Sequence, residues 1–303
     1  MNPSLAARRP RPGAHPVELF GRLLLSLGAM ALVFGLFGPG ASQAAETAPF
    51  QGPLFHQPSA WFLCGLRCLV LAVGALAALW IQAARPPRLL LLATALACWS
   101  GLVFSMAQAR GRPSAPLSLL HLELALLSAV SMGTSLGRSI LTPGQLLAAL
   151  LCAAAGDAWL CQARLLEAAE PGHPLRLLNL PWPPPSGPLG LVPTLTDLMF
   201  LSAFLEGGRR LEYPPTAMAA GGLLAYALAA ALSLLAGHPL PALPLLGLGL
   251  LWGAWRRFRC RVWEVLQAFG LAFALYAILY ALTYSPRPPP AAPQEPPNPR
   301  WTA

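Results

Sequence analysis

Residues 145–163 read QLLAALLCAAAGDAWLCQA, an apolar run in which Asp157 is the one charged group. At about 1.5 Å of rise per residue, a run of this length crosses the hydrocarbon core of a bilayer as a helix. A second run, 189–205 (LGLVPTLTDLMFLSAFL), holds Asp197, and the chain contains no other aspartate. A carboxylate in hydrocarbon costs ~3 kcal/mol on insertion scales, so an acid at that depth marks a functional site by default. Two of them on consecutive segments point to a pair.

The surrounding chain fixes the class. Of 303 residues 56% are hydrophobic and only 10% charged, with a mean hydropathy of +0.57, which predicts a polytopic membrane protein rather than a soluble core. The net charge of +9 comes from arginine, because the chain has no lysine. With heavy Ala, Leu, Gly and Pro usage, this is the bias of a GC-rich bacterial genome, not a nucleic-acid-binding signature. No nucleic-acid partner is expected; the bilayer is.

Runs of about 17 to 23 apolar residues predict an all-α bundle of nine membrane segments. They cover 19–38, 61–83, 89–106, 117–136, 145–163, 189–205, 217–236, 240–255 and 262–284. The organisation is then a basic N-terminus (1–18), an N-terminal bundle (19–144), a core carrying both aspartates (145–255), a basic loop with the last segment (256–284), and a Pro-rich tail (285–303) expected to be disordered. Arg8, Arg9 and Arg11 before the first segment and Ser42-Gln-Ala44 after it also fit a signal peptide; the apolar run is long for that role, so a retained anchor is favoured. Cleavage would leave eight segments.

Arginines orient the bundle, because cytoplasmic loops collect basic residues. With alternating segments Arg8, Arg9, Arg11, Arg85, Arg88, Arg138, Arg209, Arg210, Arg256, Arg257, Arg259 and Arg261 share one side. Arg110, Arg112, Arg164, Arg176 and the tail arginines take the other. The expectation is a bacterial inner-membrane protein with a cytoplasmic N-terminus. Between the aspartate segments, 181–188 (PWPPPSGP) predicts a stiff polyproline-like strap at the outer interface.

Asp157 lies about six residues from the outer end of its segment and Asp197 about eight from that of the next, depths that differ by only ~3 Å. The two carboxylates are therefore expected to face each other across antiparallel neighbours. Two close carboxylates cannot both ionise cheaply, so one stays protonated to polarise a carbonyl while the other activates a water. That is the chemistry of aspartyl proteolysis.

The stretch from about 150 to 255 resembles the presenilin and signal peptide peptidase family of intramembrane aspartyl proteases. The resemblance rests on Gly156-Asp157, on Thr194-Leu195-Thr196-Asp197 in the next segment, and on Pro241-Ala242-Leu243 opening the segment after the following one. It implies Asp157 and Asp197 as the catalytic pair, Pro241, Ala242 and Leu243 as the substrate-binding edge beside them, transmembrane peptides as substrates, and no metal or cofactor. The chain departs from the family pattern at Gly156, where a tyrosine is usual, and at Thr194 and Thr196, where glycines are usual. The segment numbering also differs by one, and an extra segment follows the Pro-Ala-Leu helix.

Rival readings use the same acids. A non-catalytic scaffold would employ them as hydrogen-bonding groups between helices, with Thr194 and Thr196 satisfying Asp197. A proton-coupled transporter would add Arg67, His121 and Glu123. In the bland reading of that trio Arg67 pairs with Glu123 or snorkels, and His121 packs. Glu206 with Arg209 and Arg210, and Glu264 near Arg261, read as solvated segment ends. The six cysteines show no ligand spacing and read as small packing residues. Gly133-x-x-x-Gly137 permits close helix packing. Substrate, partner subunits and oligomeric state are not encoded in any motif.

Overall fold

The computed structural model describes residues 58–108, 115–163, 195–236 and 240–284, together with helical positions between 25 and 37. The basic N-terminus, most of the first segment, the 181–188 strap, Thr194, the tail, and Arg110, Arg112, Arg164 and Arg176 lie outside the described residues. Within them the chain is helical, without strands. The helices are α1 (Pro58–Ala84), α2 (Arg88–Gln108), α3 (Ala115–Gly137), α4 (Pro143–Ala163), α5 (Leu195–Arg210), α6 (Pro215–Ala236), α7 (Ala242–Ala254) and α8 (Val262–Tyr284).

Six of these are long and apolar enough to cross a membrane: α1, α2, α3, α4, α6 and α8. The other two are shorter among the described residues: α5 has 16 residues, with 189–194 of the expected segment outside the described residues, and α7 has 13. At about 1.5 Å per residue α7 measures roughly 20 Å, short of a hydrocarbon core about 30 Å thick. Proline explains the start of α7: Pro241 is extended (φ −62, ψ 122) and the helix begins with the next residue.

Local sequence sets the helix ends. Thr142 and Gln145 cap α4 reciprocally: Gln145 N–H donates to Thr142 Oγ1 at 3.2 Å, and Gln145 Oε1 accepts from Leu141 and Thr142 N–H. Pro143 occupies the first helical position, where no partner for its nitrogen is needed. Arg261 N–H donates to Glu264 Oε2 at 2.8 Å at the start of α8. Glu264 is thus a cap, not merely a solvated segment end.

Helix α5 is the axis of the packing. Leu198, Leu201 and Leu205 are fully buried, and Phe204 nearly so. Helix α3 lies against it in parallel, because a Cβ on Gly133 would strike the Met199 carbonyl and one on Gly137 the Ala203 carbonyl. The Gly133-x-x-x-Gly137 pattern therefore seats α3 on the Asp197 helix. Helix α1 is anchored to α5 by Gly74 under Leu198 and by Gln82 Nε2 donating to the Ser202 carbonyl at 3.2 Å.

Helices α6 and α7 run antiparallel at backbone contact: Gly221 faces Gly249, and Gly253 faces Ala217. Small residues bring helices together where lipid supplies no hydrophobic drive between them. Helix α8 packs beside α4, where Glu264 fills the space at Gly144. It remains the most exposed helix, with Trp263, Phe273 and Leu282 each more than 60% accessible. Outward apolar side chains of this kind suit lipid.

Candidate functional site

The start of α7 is an accounting problem in backbone hydrogen bonds. The first N–H groups of a helix have no partner within it, and in hydrocarbon water does not supply one. Pro241 and Pro244 have no N–H at all. Leu240 N–H donates to Ser233 Oγ on α6 at 3.1 Å, and Leu243 N–H donates to Asp157 Oδ2 on α4 at 2.8 Å. The Ala242 N–H lies near the same carboxylate. Leu240 and Leu243 thus find partners on other helices, Leu243 on a carboxylate 86 residues away in sequence.

Pro-Ala-Leu therefore touches Asp157. The extended backbone reaches Pro241, and helix continues through Pro244 because a proline in the first turn removes only a donor that would be orphaned anyway.

Asp197 stands in the first turn of α5, 5% exposed, and Asp157 is half-buried on α4. Tyr226 on α6, 4% exposed, is within electrostatic reach of Asp197. Helical rise gives the levels. Asp197 is 13 residues from the arginine end of α5, Asp157 is 14 from that of α4, and Leu243 is 11 from that of α7. These positions fall roughly 20, 21 and 17 Å from that end, so the two acids and the Pro-Ala-Leu start share one depth within about 4 Å. Next to Asp157, a Cβ on Gly156 would meet nothing within 4 Å, so space is open there.

The arginine end is as drawn from sequence for the described residues. Arg85, Arg88, Arg138, Arg209, Arg210, Arg256, Arg257, Arg259 and Arg261 lie at or between helix ends on one side of the bundle. They are interlocked: Arg88 donates to Ser135 and Ser139, Arg210 to the Arg138 carbonyl, and Arg257 to the Glu212 carbonyl.

Glu206 corrects the sequence reading. It is fully buried rather than solvated, gripped by Arg209 through two bonds of 2.8 and 2.7 Å, with Arg138 at 3.5 Å. A two-pronged guanidinium–carboxylate pair carries both charge and geometry. Burial pulls the Arg138 guanidinium below its usual range, and Glu206 opposes that pull.

The trio Arg67, His121 and Glu123 does not assemble. Arg67 is 4% exposed, and its electrostatic neighbours are Tyr226, Cys64 and Cys68, not Glu123. It neither pairs with Glu123 nor snorkels to solvent. His121 is buried, with Nε2 lacking a hydrogen bond. All six cysteines are free thiols, and among the described residues no three His, Cys, Asp or Glu side chains group as metal ligands would.

Two residues that sequence reasoning passed over matter here, Tyr226 and Ser233. Both are hydroxyl-bearing side chains buried in the otherwise apolar body of α6, and a buried hydroxyl of that kind seeks a partner. That was the available signal.

The fold and site define an all-helical protein with six membrane-length apolar helices and an acid-bearing centre where two shorter helices begin. No family model matches the chain, and no curated protein or solved structure does so either.

Proposed function

We propose that this chain is a multi-pass protein of a bacterial inner membrane, N-terminus cytoplasmic, that hydrolyses peptide bonds of membrane-embedded substrates with Asp157 and Asp197. The first segment, the six long helices and the two short ones make up its nine membrane segments. The orientation follows from the arginine-rich end being cytoplasmic.

One observation carries the reading: the 2.8 Å bond from Leu243 N–H to Asp157. It joins the two motifs that the resemblance requires to be neighbours, across two intervening helices, α5 and α6. The shared depth of Asp197 supports it further. In the proposed reaction one carboxyl group, protonated, donates a hydrogen bond to the scissile carbonyl while the other takes a proton from water. The hydroxide adds to the carbonyl carbon, and the C–N bond breaks as the amine nitrogen gains a proton. Helix α7 begins within the membrane thickness and leaves non-helical backbone at Leu240 and Pro241, which is tolerated at that depth only against protein or water. Hydrolysis needs that water.

The same bond favours a second reading, a scaffold in which Asp157 serves only to cap α7. The test separates them. In proteoliposomes carrying a transmembrane reporter peptide, Asp157→Asn and Asp197→Asn should each abolish cleavage with folding retained. Cleavage that persists in both variants, or a wild-type protein inert against a broad peptide panel, sinks the protease reading.

A further inference from the structure

The turn between α7 and α8 gathers four arginines, Arg256, Arg257, Arg259 and Arg261, and three of the chain's nine tryptophans into residues 252–263. Its backbone is tied down. Arg257 and Phe258 N–H both donate to the Ala254 carbonyl at 2.9 Å, and the Phe258 ring lies against Tyr213 with centroids 6.1 Å apart. Arg257 Nη1 turns inward to the Glu212 carbonyl at 2.7 Å, and Arg261 N–H is held by Glu264. Arg256, Arg259 and Arg261 remain exposed. Among the described residues none of these three side chains has a carboxylate partner; the ion pairs there belong to Arg138 and Arg209.

Trp252, Trp255 and Trp263, on the same stretch, are 82%, 78% and 67% accessible. Tryptophan gathers where hydrocarbon gives way to headgroups, so exposed indoles beside exposed guanidiniums mark the headgroup level. Beyond the turn, Trp263, Leu266, Gly270 and Phe273 recur at intervals of three and four along one exposed face of α8. A Cβ on Gly270 would meet nothing within 4 Å, which leaves an apolar notch open to a hydrocarbon chain. Cations at the membrane boundary with an apolar stripe running inward from them match a lipid that carries an anionic phosphate. We propose that this turn binds an anionic phospholipid, its phosphate drawn to Arg256, Arg259 and Arg261 and one acyl chain lying along α8 over Gly270. A zwitterionic lipid offers the same tails but adds an ammonium group that these cations repel. The proposal rests on the membrane reading and is independent of the chemistry proposed for Asp157 and Asp197.

The full chain in phosphatidylcholine vesicles is probed with trace spin-labelled phosphatidylglycerol or spin-labelled phosphatidylcholine, whose immobilised fraction reports lipid held at the protein. Phosphatidylglycerol should be retained about fivefold more strongly, roughly the contribution of one arginine charge at an anionic surface. Salt at about 1 M should shrink that difference. Arg256→Gln, Arg259→Gln and Arg261→Gln combined should bring the ratio to about one, with the melting temperature near wild type because no carboxylate loses its partner. Arg85→Gln, which removes an exposed arginine at the same end but outside the turn, should leave the ratio nearly unchanged. Gly270→Leu fills the notch and should lower phosphatidylglycerol retention. The site is overturned if phosphatidylglycerol is held no better than phosphatidylcholine, or if the triple variant keeps the preference. It is equally overturned if Arg85→Gln abolishes the preference as fully, which would assign it to the whole basic end, or if Gly270→Leu retains the lipid as wild type does.

Discussion

Asp157 on α4 accepts the N–H of Leu243 at the first turn of α7, so one carboxylate joins two helices at the depth where α7 begins. This bond separates the structural from the chemical role of Asp157. Asparagine keeps an oxygen acceptor, whereas alanine removes it. Asp157→Ala should cost about 1 kcal/mol as a lost cap, toward the upper end of the cap range in hydrocarbon, and Asp157→Asn clearly less. Thermal unfolding in detergent measures the difference; equal losses would show that the bond does not hold α7.

Glycine positions give opposite expectations. Alanine at Gly249 would press on the Gly221 carbonyl, so Gly249→Ala should destabilise by about 1–3 kcal/mol as overpacking does. Gly156→Ala meets open space and should be neutral, or stabilising by up to about 1 kcal/mol through helix propensity. If substrate uses the space beside Asp157, Gly156→Leu should suppress reporter cleavage while leaving the melting temperature near wild type.

Glu206 should behave as the keystone of the arginine end. Glu206→Ala strands Arg209 and Arg138, whose side chains keep 27% and 17% of their exposure. Breaking a fully buried pair costs about 3–5 kcal/mol, and this exposure reduces the loss to roughly 2–3 kcal/mol. Arg138→Ala, at the longer distance, should cost less. A Glu206→Ala protein as stable as wild type would refute the pairing.

Cys260 reports both orientation and electrostatics. It lies in the loop between α7 and α8, and burial, then the nearby Glu264, push its thiol up. Less thiolate exists at a given pH than for an ordinary cysteine, so labelling should be slow. Glu264→Gln keeps a capping acceptor for Arg261 and removes the negative charge, which lowers the thiol again and should speed alkylation. With the other five cysteines replaced, an impermeant maleimide should label Cys260 in inverted inner-membrane vesicles and not in spheroplasts. The reverse pattern would invert the proposed topology.

What the sequence determined by itself is what depends on single segments. Long apolar runs gave six membrane-length helices and arginine placement gave the common end of the described residues; the Thr142-x-x-Gln145 cap that the structure shows at the start of α4 is equally local. These are local properties, set by burial in lipid and by backbone capping. Only the tertiary structure decided which side chains meet. Helices that are apolar all round carry little sign of which face turns inward, because lipid and protein are both acceptable neighbours. Hence the sequence assigns Asp157 a depth but not its bond to Leu243, and it reads Glu206 as a solvated end, whereas the fold buries it against Arg209 and Arg138. For Arg67 the sequence offers Glu123, the interface or a proton path. The rotation of α1 about its own axis instead set it against Tyr226, and that rotation follows from Gly74 packing under Leu198, a contact between residues more than a hundred positions apart.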